Sequence, residues 1–118
     1  NEPDDASAFS PSSLSPVGDW SMKKYVAAEN QGLWTYHSDW APYSSANMYM
    51  RSVTVMYYIS TVEEGGETDY YFQDIKIQPI KGRLVIVPSY FTHMHKGGQP
   101  VSSDKTILLK WYTMDLRV

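Results

Sequence analysis

Apolar and polar positions alternate along several short runs of this chain, and no run repeats apolar residues at helical spacing. The clearest run covers residues 52–59, in which Val, Val, Tyr and Ile at odd positions alternate with Ser, Thr, Met and Tyr at even positions. This alternation predicts a central strand with two usable faces. Many short strands without a helix predict an all-β core, arranged as a sandwich or jelly roll. The other predicted strands are 23–26, 32–37, 68–72, 83–87 and 105–113.

The first 19 residues differ in composition from the rest of the chain. They are rich in Ser, Pro and Asp, which disfavour both helices and sheets, so we expect a loop or arm. The chain has 118 residues, enough for one domain with a core and too few for two. We therefore predict an N-terminal arm at residues 1–21 and one core domain at residues 22–118.

Charge and composition narrow the range of partners. The net charge of −3 provides no basic field for phosphates, so we expect small or peptidic substrates and no nucleic acid. The chain contains no cysteine, so any metal must be bound through N and O ligands. The longest apolar runs, at 84–87 and 107–109, are too short to span a bilayer. We therefore expect a soluble, cytoplasmic protein with no membrane partner.

Four residues carry candidate metal-binding chemistry: His37, Asp39, His93 and His95. Residues two apart in an extended segment point the same way, so His37 and Asp39 can bind one ion together. Two imidazoles and one carboxylate can hold Fe(II) on one face of an octahedron and leave other positions open. Either downstream histidine can complete this set. A site made of three histidines without Asp39 is the alternative.

Five ordered motifs resemble the catalytic core of prolyl-4-hydroxylase-type Fe(II)/2-oxoglutarate dioxygenases, and the similarity extends over residues 23–113. The motifs are Tyr-His-Ser-Asp at 36–39, Arg-Ser-Val-Thr-Val-Met-Tyr-Tyr-Ile at 51–59, Glu-Glu-Gly-Gly-Glu-Thr at 63–68, Lys-Gly-Arg-Leu-Val-Ile-Val-Pro at 81–88, and His95 followed by Pro100, Lys105 and Trp111.

The resemblance implies a double-stranded β-helix, or jelly roll, with His37, Asp39 and His95 as iron ligands. His95 is preferred to His93 because it precedes Lys105 by ten residues (105 − 95) rather than twelve, which is closer to the family's spacing. The resemblance also implies that Fe(II), 2-oxoglutarate and O2 take part, and it leaves ascorbate open as an additional cofactor.

Lys105 is the residue expected to pair with the far carboxylate of 2-oxoglutarate, which would otherwise be an unpaired charge deep in the barrel. With the iron ligands it completes the predicted catalytic set. On the family pattern, Tyr58 and Tyr25 complete the cosubstrate pocket. Three alternatives remain: Lys105 at a solvated strand end, Tyr25 as a packing residue, and Tyr58 facing outward with Tyr57 inward.

The activity implied by the resemblance is hydroxylation of a C–H bond with decarboxylation of 2-oxoglutarate to succinate. Peptidyl proline is the first substrate expected, in a peptide or protein partner, and a free amino acid is the alternative. A non-catalytic β-helix binding module or a truncated fragment is the second hypothesis. The family usually has helices before the first core strand, and none is predicted before Met22. The exposed sheet would then be covered by the arm or by another subunit, so an oligomer stays open.

Overall fold

Seven β-strands form the part of the chain that the computed structural model describes, which comprises residues 14–27, 35–40 and 49–115. Within these ranges the helical structure is confined to one 3-10 turn at Phe91–His93, so the prediction of an all-β core is confirmed. No helix in the described ranges has the length and apolarity needed to cross a bilayer. The strands are Leu14–Tyr25 (β1), Tyr49–Tyr58 (β2), Thr68–Tyr70 (β3), Ile75–Ile77 (β4), Leu84–Pro88 (β5), His95–Gly97 (β6) and Lys105–Asp115 (β7).

The strands form two antiparallel sheets. The larger has the order β1-β7-β2-β5 and the smaller has the order β4-β3-β6. Most neighbouring strands come from distant parts of the chain, since the first strand pairs with the last and β2 pairs with both β5 and β7. Side chains of both sheets meet in the interior, as expected for a jelly roll.

The alternation in β2 separates an interior face from an exterior face. Thr54, Met56 and Tyr58 are buried, whereas Tyr57 is 36% exposed. Met56 and Tyr58 pack with Ile107 in the hydrophobic core. Tyr58 therefore faces inward, and the alternative in which Tyr57 takes that place is wrong. Because the same face also carries Thr54, the interior combines an apolar core with buried polar groups, which must find hydrogen-bond partners there.

Residues 14–19, which were expected to belong to a loop or arm, instead form the first half of β1. Their partners lie in β7, for example Ser15 opposite Thr113. Pro16 is tolerated because β1 is at the edge of its sheet, where a missing N–H breaks no ladder. The register shifts between Val17 and Ser21, and Gly18 has φ +62° there, which indicates a β-bulge. The loop prediction was wrong because it weighed local composition and could not include pairing with a distant strand.

The short strands of the smaller sheet were only partly predicted. The run at 68–72 corresponds to β3, but β4 and β6 have three residues each and were missed. Of the predicted strand at 32–37, residues 32–34 lie outside the described part of the chain. Within the described remainder, His37 alone makes a β-bridge, opposite His95. This bridge continues the smaller sheet beyond β6 and positions the site.

The outer face of the larger sheet is apolar and exposed. Met22, Leu84 and Ile86 are 65%, 52% and 62% exposed. They belong to β1 and β5, the two edges of the sheet, and no helix lies over them within the described ranges. Residues 14–21, which precede Met22, belong to β1, and residues 1–13 lie outside the described part of the chain.

Candidate metal centre

Two histidines from distant parts of the sequence meet at the edge of the smaller sheet. The backbones of His37 and His95 exchange hydrogen bonds of 2.9 Å and 2.8 Å, and their ring centroids are 4.6 Å apart. Facing residues of an antiparallel bridge project to the same side, so the backbone itself brings the two imidazoles together.

Asp39 completes the cluster from the same extended segment as His37. Its Oδ1 lies 3.8 Å from Nε2 of His37 and 3.8 Å from Nε2 of His95. One ligand atom from each of the three residues lies within 4.8 Å of the others, which suits a shared ion. All three residues are partly buried, so water is only partly excluded from them. The structure therefore brings together the three residues predicted as metal ligands.

Backbone carbonyls orient both imidazole rings. Nδ1 of His37 is 3.0 Å from the carbonyl oxygen of Thr35, and Nδ1 of His95 is 2.9 Å from that of His93. Because a carbonyl oxygen only accepts, Nδ1 must carry the proton in each neutral ring. Nε2 then keeps its lone pair, and this is the atom that faces Asp39. A hydrogen bond from the ring nitrogen that does not face the metal is typical of histidines that ligate metals.

The two oxygens of Asp39 have different surroundings. Oδ2 accepts a hydrogen bond of 3.0 Å from the hydroxyl of Thr54 and lies 3.5 Å from Nε1 of Trp111. The guanidinium of Arg51 stacks 4.0 Å from the centroid of the Trp111 ring, which holds the indole against the site. Oδ1 is thus the oxygen left to face the imidazoles.

Lys105 begins β7 and is buried, with 3% exposure, so the alternative of a solvated strand end is wrong. Burial lowers the pKa of its ammonium from 10.5 to about 8, and the nearby carboxylate of Glu67 acts in the opposite direction. Within the described part of the chain, no carboxylate lies within ion-pair distance of its Nζ. The ring centroids of Tyr25 and Tyr58 lie 5.7 and 5.8 Å from the ammonium. A buried cation without a carboxylate partner is suited to an anionic ligand.

A cavity of about 170 Å³ joins the histidine cluster to Lys105. Tyr25 is one of its lining residues, and burial raises the pKa of the Tyr25 hydroxyl. Tyr58 lies behind the wall: its hydroxyl is 2.7 Å from Oγ1 of Thr68, which does line the cavity. The other lining residues are Lys23, His37, Asp39, Thr54, Met56, Tyr70, His95, Gly97, Lys105, Ile107, Leu109 and Trp111.

Comparison with known protein families decides the classification of this site. The sequence model described as the 2OG-Fe(II) oxygenase superfamily matches residues 21–113, most of the chain. The chain belongs to the 2OG-Fe(II) oxygenase superfamily. A comparison with curated protein sequences finds no match.

Two solved structures of viral collagen prolyl hydroxylase from Paramecium bursaria Chlorella virus 1 are similar to this chain. The 2-oxoglutarate complex of the viral enzyme has a TM-score of 0.65 and 24% sequence identity to this chain. The match covers 83% of this chain and 61% of the viral chain. A truncated form of the viral enzyme has a TM-score of 0.69 and 26% sequence identity. This match covers 86% of this chain and 57% of the viral chain. This chain therefore spans less than two thirds of the length of these relatives. The likeness confirms the predicted jelly roll.

The donor set of this chain fits the iron and the cosubstrate that the superfamily uses. Two imidazole nitrogens and one carboxylate oxygen are suitable ligands for Fe(II), and the three atoms lie within 4.8 Å of one another. Lys105, which is buried, lines the same cavity, and its ammonium group suits a carboxylate of 2-oxoglutarate. Membership in the superfamily implies Fe(II), 2-oxoglutarate and O2, in agreement with the cofactor prediction.

His93 lies outside this metal-ligand cluster. Its Nδ1 is 2.9 Å from the hydroxyl of its neighbour Thr92, and it contributes to the site through its carbonyl, which faces His95. The cluster contains Asp39 in place of His93, so the alternative site with three histidines lacks geometric support.

Several residues that line the cavity were not predicted. Thr68 and Tyr70 line it from β3, and burial raises the pKa of the Tyr70 hydroxyl. The ring of Tyr70 lies 5.2 Å from that of His95. Period-two alternation in the run at 68–72 indicates a shared face for these two residues, but not which sheet face encloses the site. Lys23 and Trp111 were also not predicted as cavity residues, because their positions beside the cavity depend on strand pairing.

Proposed function

We propose that this chain catalyses Fe(II)- and 2-oxoglutarate-dependent hydroxylation of a C–H bond, with conversion of 2-oxoglutarate to succinate and CO2. The observation that carries this proposal is the continuity of one cavity from the His37, Asp39 and His95 donor atoms to the buried ammonium of Lys105. Both ends of the cosubstrate would thereby find a partner of the required kind. A non-catalytic binding module would not need both a metal-ligand cluster and a buried cation in the same cavity.

In this proposal the three ligands hold iron, and bound Fe(II) supplies the activation of O2. Lys105 binds the far carboxylate by charge and fixes the length of the cosubstrate that fits. Tyr25, on the cavity wall, orients the cosubstrate, while Thr68 is held in place by the hydroxyl of Tyr58. Apolar wall residues such as Met56 limit access of water to the reacting centre.

We further propose peptidyl proline as the substrate. Both structural relatives are viral collagen prolyl hydroxylases, and aromatic groups flank the metal ligands of this chain. Tyr36 makes an edge contact with Tyr71, and Trp40 packs near Phe91. Trp40, Tyr71 and Phe91 are 47%, 59% and 62% exposed, so their faces are accessible. Exposed aromatic rings are favourable partners for proline-rich segments.

The test is aerobic incubation of the chain with Fe(II), 2-oxoglutarate and a proline-rich peptide, followed by measurement of succinate and of peptide mass. We expect succinate together with addition of one oxygen atom to a proline. His37→Ala should abolish both products, whereas the exposed-residue variant Lys76→Ala should retain them. Succinate that persists in His37→Ala would refute the oxygenase proposal. Succinate without peptide oxidation, while free proline is oxidised, would refute the peptidyl substrate.

A further inference from the structure

The carboxylate of Asp39 is held on its far side by the hydroxyl of Thr54, and Nε1 of Trp111 lies 3.5 Å from the same oxygen. Oδ2 accepts a 3.0 Å hydrogen bond from Thr54, and Oγ1 of Thr54 lies 2.8 Å from Oγ of Ser89. Thr54 and Ser89 are 4% and 2% exposed, so both hydroxyls are shielded from water. We infer that Thr54 and Ser89 are positioning residues that keep Oδ1 of Asp39 as the single oxygen presented to the metal.

The direction of this chain of hydrogen bonds follows from the chemistry of its last member. An ionised carboxylate only accepts, so the single hydrogen of the Thr54 hydroxyl must point to Asp39. Thr54 then has only lone pairs for Ser89, and Ser89 must donate. The donated bond polarises the Thr54 hydroxyl and strengthens the bond to Asp39.

Ser89 is itself fixed by the larger sheet. Its backbone N–H donates a 3.0 Å hydrogen bond to the carbonyl of Ser52, two residues before Thr54 in β2. Thr54 lies opposite Val87 in β5, so both hydroxyls are placed by one strand pair. The two hydroxyls that position Asp39 are thus themselves placed by paired backbone.

This inference rests on the proposed function, because it explains how the metal retains open positions. A carboxylate free to rotate could offer both oxygens and occupy a position needed by the cosubstrate or O2. Engagement of Oδ2 by Thr54 leaves Oδ1, which faces both imidazoles at 3.8 Å. The hydroxyl pair therefore acts on the metal site through Asp39 and need not touch the substrate.

The test is anaerobic titration of the full chain with Co(II), with the visible spectrum of the bound ion as the readout. Thr54→Val keeps the shape of the side chain and removes the donor. We expect it to weaken Co(II) affinity by about tenfold to a hundredfold and to change the spectrum. Thr54→Ser should restore both. Ser89→Ala should weaken affinity less, and adding it to Thr54→Val should have no further effect, because Ser89 acts through Thr54.

Thr113→Val is the matched control, because Thr113 is also 4% exposed on the larger sheet but bonds to the carbonyl of Ser15. It should leave Co(II) affinity and spectrum unchanged. Wild-type affinity and spectrum in Thr54→Val would overturn the inference, as would an equal loss in Thr113→Val. Should Thr54→Val not fold, Ser89→Ala with an unchanged spectrum would overturn it. Failure of the wild-type chain to bind Co(II) would instead count against the proposed function.

Discussion

The backbones of His37 and His95 exchange two hydrogen bonds, and this bridge places their imidazoles side by side. Each ring also donates from Nδ1 to a nearby carbonyl, of Thr35 or of His93. The rings are therefore oriented by main-chain atoms on both sides. Such an arrangement is organised before any metal binds, which lowers the entropy lost on binding.

Replacing His95 and His93 one at a time should distinguish the residue that ligates the metal from the residue that only orients it. His95→Ala removes one of three donor atoms, so we expect metal affinity to fall by more than about a hundredfold, beyond the loss typical of outer contacts. His93→Ala keeps the carbonyl that receives the His95 Nδ1 hydrogen bond, so most of the affinity should remain. Anaerobic Fe(II) titration measures both. The reverse order of effects would show that His93 is the ligand.

Binding of 2-oxoglutarate should depend on the charge of Lys105. Burial lowers its pKa to about 8, so the ammonium loses its proton as the pH rises through that value. The dissociation constant of 2-oxoglutarate should therefore increase above pH 8, approaching about tenfold per pH unit. In Lys105→Arg the guanidinium stays charged, so this pH dependence should disappear. Calorimetric titrations between pH 7 and 9.5 measure it. An identical pH profile in both proteins would contradict this assignment.

The same burial should make Lys105 costly to stability when no ligand is bound. A pKa lowered from 10.5 to about 8 means that the folded chain binds fewer protons than the unfolded chain between these values. Stability of the wild type should thus rise with pH across that window and be lowest below it. Lys105→Met should be more stable at pH 7, by up to about 3 kcal/mol, and should lack the rise.

Urea denaturation at pH 7 and at pH 9.5 tests the cost of burying Lys105. The exposed lysine Lys76 provides the control, since Lys76→Met removes a charge without relieving burial and should change stability little. Equal effects of the two substitutions, or a less stable Lys105→Met, would show that the buried charge is satisfied within the protein.

The chemistry of this site was predictable from sequence to the extent that it depends on residue type and local spacing. The spacing of His37 and Asp39 identifies two donors on one side of an extended segment, and ten residues separate His95 from Lys105. These relationships survive folding because each lies within one segment or follows a family pattern. The structure brings the three donors together and buries Lys105 beside Tyr25.

Features that depend on strand register were not predictable in this way. The hydroxyl of Tyr58 points to Thr68, ten residues away on the other sheet, so its contact with the cavity is indirect. The pairing that makes β1 from a Ser- and Pro-rich segment involves β7, about ninety residues later along the chain. The support of Asp39 by Thr54 likewise requires two sheets to meet. Local composition carries no information about such contacts.

Two glycines in turns provide a prediction about stability: Gly65 precedes β3, and Gly82 precedes β5. Both have positive φ angles, but the space around them differs. Their φ angles are +79° and +89°, both in the region that disfavours side chains. A Cβ at Gly65 would meet the carbonyl oxygen of Gln99 and approach Cγ2 of Val101 at 2.9 Å, whereas one at Gly82 would find open space. Gly82→Ala should therefore cost about 1 kcal/mol from backbone strain, and Gly65→Ala should cost more, about 3 kcal/mol.

The greater cost at Gly65 should also reach the cosubstrate pocket. The N–H of the next residue, Gly66, donates a 3.0 Å hydrogen bond to the carbonyl of Gln99. Gly66 also packs against Lys105, since a Cβ at Gly66 would lie 3.5 Å from Cδ of Lys105. A displaced turn would shift the wall against which Lys105 packs. Urea denaturation should rank Gly65→Ala below Gly82→Ala in stability, and only Gly65→Ala should weaken 2-oxoglutarate binding. Equal stability losses would mean that the turn moves freely, and the proposed contact with Gln99 would then lack energetic weight.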